Sequence, residues 1–240
     1  MDTRAVLGDV AALGPFFTVR TGVAESVDPT WRPLADLEAD GPPLRSRIAY
    51  VRRALGGDDA VEPRVAASIA LQGIAAVVVS PAFAAAVLHG VVPALSPDVL
   101  HWRDSTTGPL ALWAPAPTGT PVPDAPAAVE ALGRLYDAHL PALVDAVRSV
   151  TAVSPKVLWG NVASVVAGTT RMVTTGRPEA ARRAAAVGAL LLDRGELAGS
   201  GERGAARAPD VHWTFRRRSC CLFYRVPGGG YCGDCVLGPA

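Results

Sequence analysis

Hydrophobic and polar positions alternate along this chain with a helical period over most of its length. Asp2 to Leu13 suits a first short helix, closed by Gly14-Pro15. Phe16 to Arg20 reads as a short strand. Residues 21–43 carry Pro29, Pro33, Pro42 and Pro43 and read as a loop with room for a helical turn. Leu44 to Leu55 predicts a helix with its arginines outward, ended by Gly56-Gly57. Between Arg64 and Asp98 lie 33 residues without Asp, Glu, Lys or Arg. A membrane span is one reading of that run. Its alanine-rich character, the central Pro81, and Ser68, Gln72, Ser80 and His89 within it favour two buried helices, about 63–79 and 81–90.

Around residues 98–114 the period shortens to two. Leu100 and Trp102 alternate with His101, Asp104 to Gly108 supplies turn residues, and Leu110 to Trp113 returns, which predicts a hairpin. Five prolines at 115, 117, 121, 123 and 126 mark a surface connector or subdomain boundary. From Ala127 the helical period resumes, with Val129, Leu132, Tyr136, His139, Leu143, Val147 and Val150 on one face and Pro141 set to kink or split the helix. Ser154-Pro155 starts a helix to about Thr174, with Leu158, Val162, Val165, Thr169 and Met172 on one side. Pro178 opens another through Asp193. Residues 194–209 are glycine-rich and read as a flexible tether, and Val211, Trp213 and Phe215 alternate as a short strand. The pattern predicts a mainly α protein with a small β element (α+β). Residues 1–193 form the body, 194–209 the tether and 210–240 a cysteine-bearing segment.

Composition narrows the function. With 23 basic and 22 acidic residues the formal net charge is +1, which gives no support for bulk nucleic-acid binding or for a DNA-reading basic helix. Half the residues are hydrophobic, so a disordered chain is excluded. The first residues, Met1-Asp2-Thr3-Arg4-Ala5-Val6, lack the pattern of a secretory signal, so the expected location is cytoplasmic. No Rossmann fingerprint, P-loop or nucleophile elbow occurs, so nothing here reads as a flavin or nicotinamide site. His139, on an apolar helix face, reads as a packed core histidine, and His89, His101 and His212 share no metal-ligand spacing.

All 4 cysteines fall in the last 21 residues, as Cys220, Cys221, Cys232 and Cys235 in a C-C-x10-C-x2-C pattern. In a reducing compartment such a group binds metal or does redox work more often than it forms disulfides. The Cys232-Gly233-Asp234-Cys235 claw brings two thiolates to one metal. The adjacent pair Cys220-Cys221 grips a single ion poorly and suits a two-iron cluster better. By spacing alone an iron–sulfur cluster leads, with structural zinc, disulfides and bare thiols as alternatives. Arg216, Arg217 and Arg218 read either as a solvated basic run or as a landing patch for an acidic donor or anionic ligand. Trp159 and Asn161 are candidates for lining the site, against plain packing and capping roles.

These residues resemble the ferric siderophore reductase (FhuF-like) family, whose members end in the same C-C-x10-C-x2-C motif. Arg218, Leu222, Tyr224 and the glycines at 228–230 look like that family too, and Leu158-Trp159-Gly160-Asn161-Val162-Ala163 is close to a Trp-Gly-Asn segment in it. The resemblance spans roughly 156–236. It implies a [2Fe–2S] cluster on Cys220, Cys221, Cys232 and Cys235, and a helical body related to the carboxy-terminal part of siderophore synthetases. It further implies one-electron reduction of a ferric siderophore, with release of Fe²⁺. A ferredoxin or flavoprotein would serve as donor, with no nucleic-acid partner and no stable membrane insertion. The rival readings are a siderophore-synthetase-like binding protein with a structural zinc tail, and an iron–sulfur redox sensor.

Overall fold

The computed structural model describes residues 2–22, 28–57, 59–105, 108–208 and 210–238. Helix accounts for 56% of it and strand for 11%, in small sheets, so the α+β expectation holds. Helices α1 (Thr3–Val10), α2 (Pro42–Ala54), α3 (Pro63–His89), α4 (Ala125–Val150), α5 (Pro155–Gly176) and α6 (Ala181–Leu192) build the body.

The uncharged run forms one continuous helix, α3, rather than the two expected: Pro81 sits inside it. Pro81 has no N–H to give back to the preceding turn. The helix survives because α1, α2, α4 and α5 all pack on it, and nineteen of its residues, including Val65, Leu71, Ile74, Val79 and Phe83, are buried. Among the described residues α3 is the one helix long and apolar enough to cross a membrane, but 78% of its most apolar window is covered by protein. A helix that is hydrophobic all round is buried, and here other helices bury it. Tyr136 on α4 donates its hydroxyl to the Val79 carbonyl at 3.0 Å, and Ser80 meets Thr169 on α5 at 2.9 Å. These are the polar contacts an apolar core element can make without cost.

Helix α4 continues through Pro141 as one element rather than splitting there, and buries Leu132, Tyr136, His139, Leu143 and Val147 as its period predicts. His139 is a fully buried core histidine, bonded to Glu38 and, at 2.7 Å, to the Leu95 carbonyl. Helix α5 begins at Pro155 as expected, although Ser154 makes no side-chain cap bond. Met172 departs from the expected buried face at 44% exposure, whereas the next residue, Val173, is fully buried, so the buried stripe of α5 passes beside Met172. Arg47 on α2 is buried at 7% exposure, not outward, and its guanidinium lies over the Tyr50 ring.

The expected hairpin is present. Strands β4 (His101–Arg103) and β5 (Ala111–Trp113) pair antiparallel with Trp102 opposite Leu112. Strand β1 (Val19–Arg20) adds parallel to β5 and β2 (Arg32–Pro33) antiparallel to β4, giving the order β1-β5-β4-β2. The expected strand at 16–20 shrinks to β1, because Pro15–Phe17 forms a 3-10 turn. Within the proline-rich connector, β6 (Gly119–Pro121) pairs with β3 (Val91–Pro93).

Residues 195–204 are not the free link that their glycines suggested. Gly195–Leu197 is a 3-10 turn, and β7 (Gly201–Gly204) pairs antiparallel with β8 (Thr214–Arg217), Gly201 opposite Arg217. Glycine composition misled here because Gly201 is required by packing: a Cβ there would meet the Phe215 ring at 2.2 Å. Arg203 reaches both oxygens of Asp193 at 2.9 Å, and Arg194 reaches Asp137 at 2.9 Å. After β7, residues 205–208 lie outside any element and are exposed. Limited tryptic digestion is therefore expected to cut after Arg207 before Arg194 or Arg203. Mass spectra of the first fragments test this, and early cleavage after Arg203 would show that the β7–β8 pair opens readily.

Candidate metal centre

The cysteine segment is stitched to the amino-terminal halves of α3 and α5. Strand β8 alternates its side chains, so Phe215 and Arg217 point inward while Arg216 points out. The Ser219 hydroxyl donates to the Lys156 carbonyl on α5 at 2.8 Å. The Ser68 hydroxyl on α3 donates to the Cys221 carbonyl at 2.8 Å. Arg225 closes the far side through Glu62 at 2.6 Å. Gly160 is what lets α5 approach: a Cβ on it would lie 2.1 Å from the Ser219 hydroxyl, beside Cys220.

The four thiols share one neighbourhood. None is in a disulfide; Cys221 and Cys235 are buried, while Cys220 and Cys232 are half-buried. Cys221 and Cys232 have their sulfurs 3.8 Å apart. A tetrahedral ion that binds thiolates at about 2.3 Å holds two of them about 3.8 Å apart, so this pair suits two ligands of one metal. Among the described residues no three Cys, His, Asp or Glu side chains converge on a single-ion position. One sulfur pair at single-metal spacing, with Cys220 and Cys235 as further thiol donors in the same segment, fits a two-iron centre.

Donors aim at the sulfurs. Leu222, at φ 72° in the left-handed region, turns its N–H onto Cys220 Sγ at 3.3 Å. The Leu237 N–H reaches Cys235 Sγ at 3.4 Å, and Arg217 Nη2 reaches Cys232 Sγ at 2.7 Å. Hydrogen bonds to cluster sulfurs are among the protein's means of setting a cluster's potential. They also lower the cost of turning thiols into thiolate ligands. The Cys221 thiol is brought down to about 5 by its hydrogen bond with Cys232 and by the Arg217 guanidinium, against the opposing effect of burial. The Cys232 thiol is pushed up, first because it keeps the proton shared with Cys221. Burial pushes the Cys220 thiol up, with the charges of Cys221 and Cys235 adding to it and the Leu222 N–H opposing.

Residues 217–237 match the FhuF 2Fe-2S C-terminal domain. The match covers all four cysteines and points to a [2Fe–2S] cluster, in agreement with the donor set, and it places the FhuF domain among iron–sulfur redox proteins. The Trp159-Gly160-Asn161 segment lies outside the matched residues. No curated protein matches the chain.

The structure separates the five residues expected to line a docking surface. Arg217 is 1% exposed and Asn161 is fully buried, so neither meets a partner in solution. Asn161 accepts from Arg217 Nη1 at 2.7 Å and donates to the Ser68 carbonyl and hydroxyl at 2.8 Å. Arg216 is exposed but ties down the Val236 and Gly238 carbonyls at 3.0 and 3.1 Å. Arg218 is exposed and paired with Glu202 at 3.1 Å. Trp159 and Arg218 line a cavity of about 390 Å³ with Pro155, Lys156, Glu196 and Ser219, next to Cys220. Lys156, the one lysine of the chain, has no hydrogen bond or ion pair from its ammonium to any described residue. Sequence reasoning missed Ser68, Lys156 and Asp234. Of these only Asp234 carried a local signal, because it lies inside the C-x2-C claw.

Proposed function

We propose that this protein is a cytoplasmic ferric siderophore reductase. The observation that carries the reading is the FhuF-type four-thiol group set beside an open cavity of a size suited to part of a siderophore. A bound [2Fe–2S] cluster supplies one electron at a time at low potential. The substrate is Fe³⁺ in a cage of hard oxygen donors, which hold Fe³⁺ far better than Fe²⁺, so one electron loosens it. This chemistry asks for no acid–base pair. It asks the chain to seat the complex near the cluster.

Trp159 offers a flat apolar wall, while the Lys156 ammonium and the Arg218 guanidinium offer donors to anionic oxygens of the ligand. Cys220 and Cys232 are half-buried, which keeps the electron's path to the surface short. Tyr231 at 59% exposure and Leu237 at 50% flank the C-x2-C claw and suit the docking of a separate donor such as a ferredoxin or flavoprotein. Four cysteines free of disulfides suit a reducing compartment, and the covering of α3 by protein suits a chain without stable membrane insertion. The near-neutral charge suits the absence of a nucleic-acid partner.

The test uses protein reduced with dithionite and freed of the reductant. Addition of a ferric siderophore, without flavin, is expected to restore the oxidised visible spectrum and to release Fe²⁺ to a ferrous chelator. The gallium complex, with nearly the same size and charge but no accessible divalent state, is expected to slow that reaction without causing reoxidation itself. Protein that stays reduced with several chemically different ferric siderophores overturns the reading.

A further inference from the structure

Arg217 is the most enclosed charge beside the cysteines. Its side chain is 0% exposed. Nη2 donates to Cys232 Sγ and Nη1 to Asn161 Oδ1, each at 2.7 Å, and Nε lies 3.3 Å from Asp234 Oδ2. That last contact is an ion pair by distance only, since neither Nε nor Oδ2 has a hydrogen bond. A guanidinium stays charged in any protein environment, and burying it costs several kcal/mol unless partners answer it. Were Arg217 only an anchor for β8, a bidentate bond to Asp234 would answer the charge best. Instead the well-aligned donors go to a cysteine sulfur and to Asn161, and Asn161 is itself held by two bonds to Ser68. Ser68 in turn donates to the Cys221 carbonyl. The guanidinium is thus aimed at Cys232 by a rigid support from α3 and α5, out of reach of water that would screen it.

We propose that Arg217 is a positioning and charge-compensating residue for the [2Fe–2S] cluster, which sets how readily the centre takes up an electron, while Asp234 opposes it. Four thiolates leave the centre negatively charged, and the electron adds one more negative charge. A fixed positive charge in hydrogen-bond contact with a ligand sulfur stabilises the reduced form more than the oxidised one. The inference rests on the cluster assignment and not on siderophore reduction, so it stands or falls independently of the substrate.

The experiment is a redox titration of the full-length, cluster-loaded protein, followed by visible absorbance and by electron paramagnetic resonance. Arg217→Gln is expected to lower the equilibrium constant for reduction at least tenfold, which for a one-electron couple is about 59 mV more negative. Arg217→Lys, which keeps the charge but not the fork, is expected to stay within threefold of the parent. Asp234→Asn is expected to shift the constant tenfold in the opposite direction. Asn161→Asp sets a carboxylate against the guanidinium and is expected to move the same way as Arg217→Gln, which keeps the test available if Arg217→Gln fails to assemble. A structural role alone would change cluster retention or melting but leave the constants of loaded variants alike. Constants within threefold of the parent for Asp234→Asn and for either Arg217→Gln or Asn161→Asp, or shifts of the same sign for oppositely charged changes, overturn the proposal.

Discussion

Cys221→Ser is expected to leave the protein without a normal cluster: iron content should fall from about two per chain towards zero, with loss of the visible absorption. Cys221 is buried, and its sulfur stands 3.8 Å from that of Cys232. Serine in its place puts a poorly ionised hydroxyl where a thiolate is needed, in a site where Arg217 then faces one sulfur fewer. The same loss is expected at Cys220, Cys232 and Cys235, because each supplies one of four ligands. Iron analysis and the spectrum of each variant decide it. A Cys221→Ser protein with parental iron content and spectrum would rule out ligation by all four cysteines.

Asn161→Leu is expected to destabilise the fold by about 3 kcal/mol, since it strands one buried guanidinium N–H pair and removes the donor to the Ser68 carbonyl and hydroxyl. For a chain of this size that corresponds to a fall in Tm of roughly 6–12 °C. Asn161→Ser, which keeps a short polar group, should lose less. Thermal melts of loaded protein test both. A fall below about 1 °C for Asn161→Leu would mean that water or a rearranged Arg217 makes good the lost bonds.

The contrast among the three consecutive arginines shows where sequence reading stops. As a run they looked like one basic patch. Arg216 and Arg217 occupy alternate faces of β8, so Arg217 turns inward with Phe215 while Arg216 turns out, and Arg218 follows the strand's end. The period of two from Val211 to Phe215 was legible, but its continuation to an inward arginine at 217 is believable only once Asn161 and Cys232 are known to await it. The glycines near 199–204 gave the opposite error. They read as looseness, whereas Gly201 is demanded by the Phe215 ring against it. Pro81 read as a break and is carried inside α3, because the helices packed around it hold the segment helical.

The sequence by itself determined the α+β class, the faces of α4 and most of α5, the 98–114 hairpin and the four thiols with their two-iron character. Each of these is written in contacts between residues near in the chain, where spacing translates directly into geometry. Only the tertiary structure decided that Ser68, Asn161 and Arg217 form one support beneath the cysteines, and that Trp159, Lys156 and Arg218 share a cavity beside Cys220. Those groups come from α3, α5 and the β7–β8 pair, as much as 153 residues apart in the case of Ser68 and Cys221. No local period records which buried donor will meet which acceptor across such a distance, because that choice is made by helix packing and by the close approach that Gly160 permits.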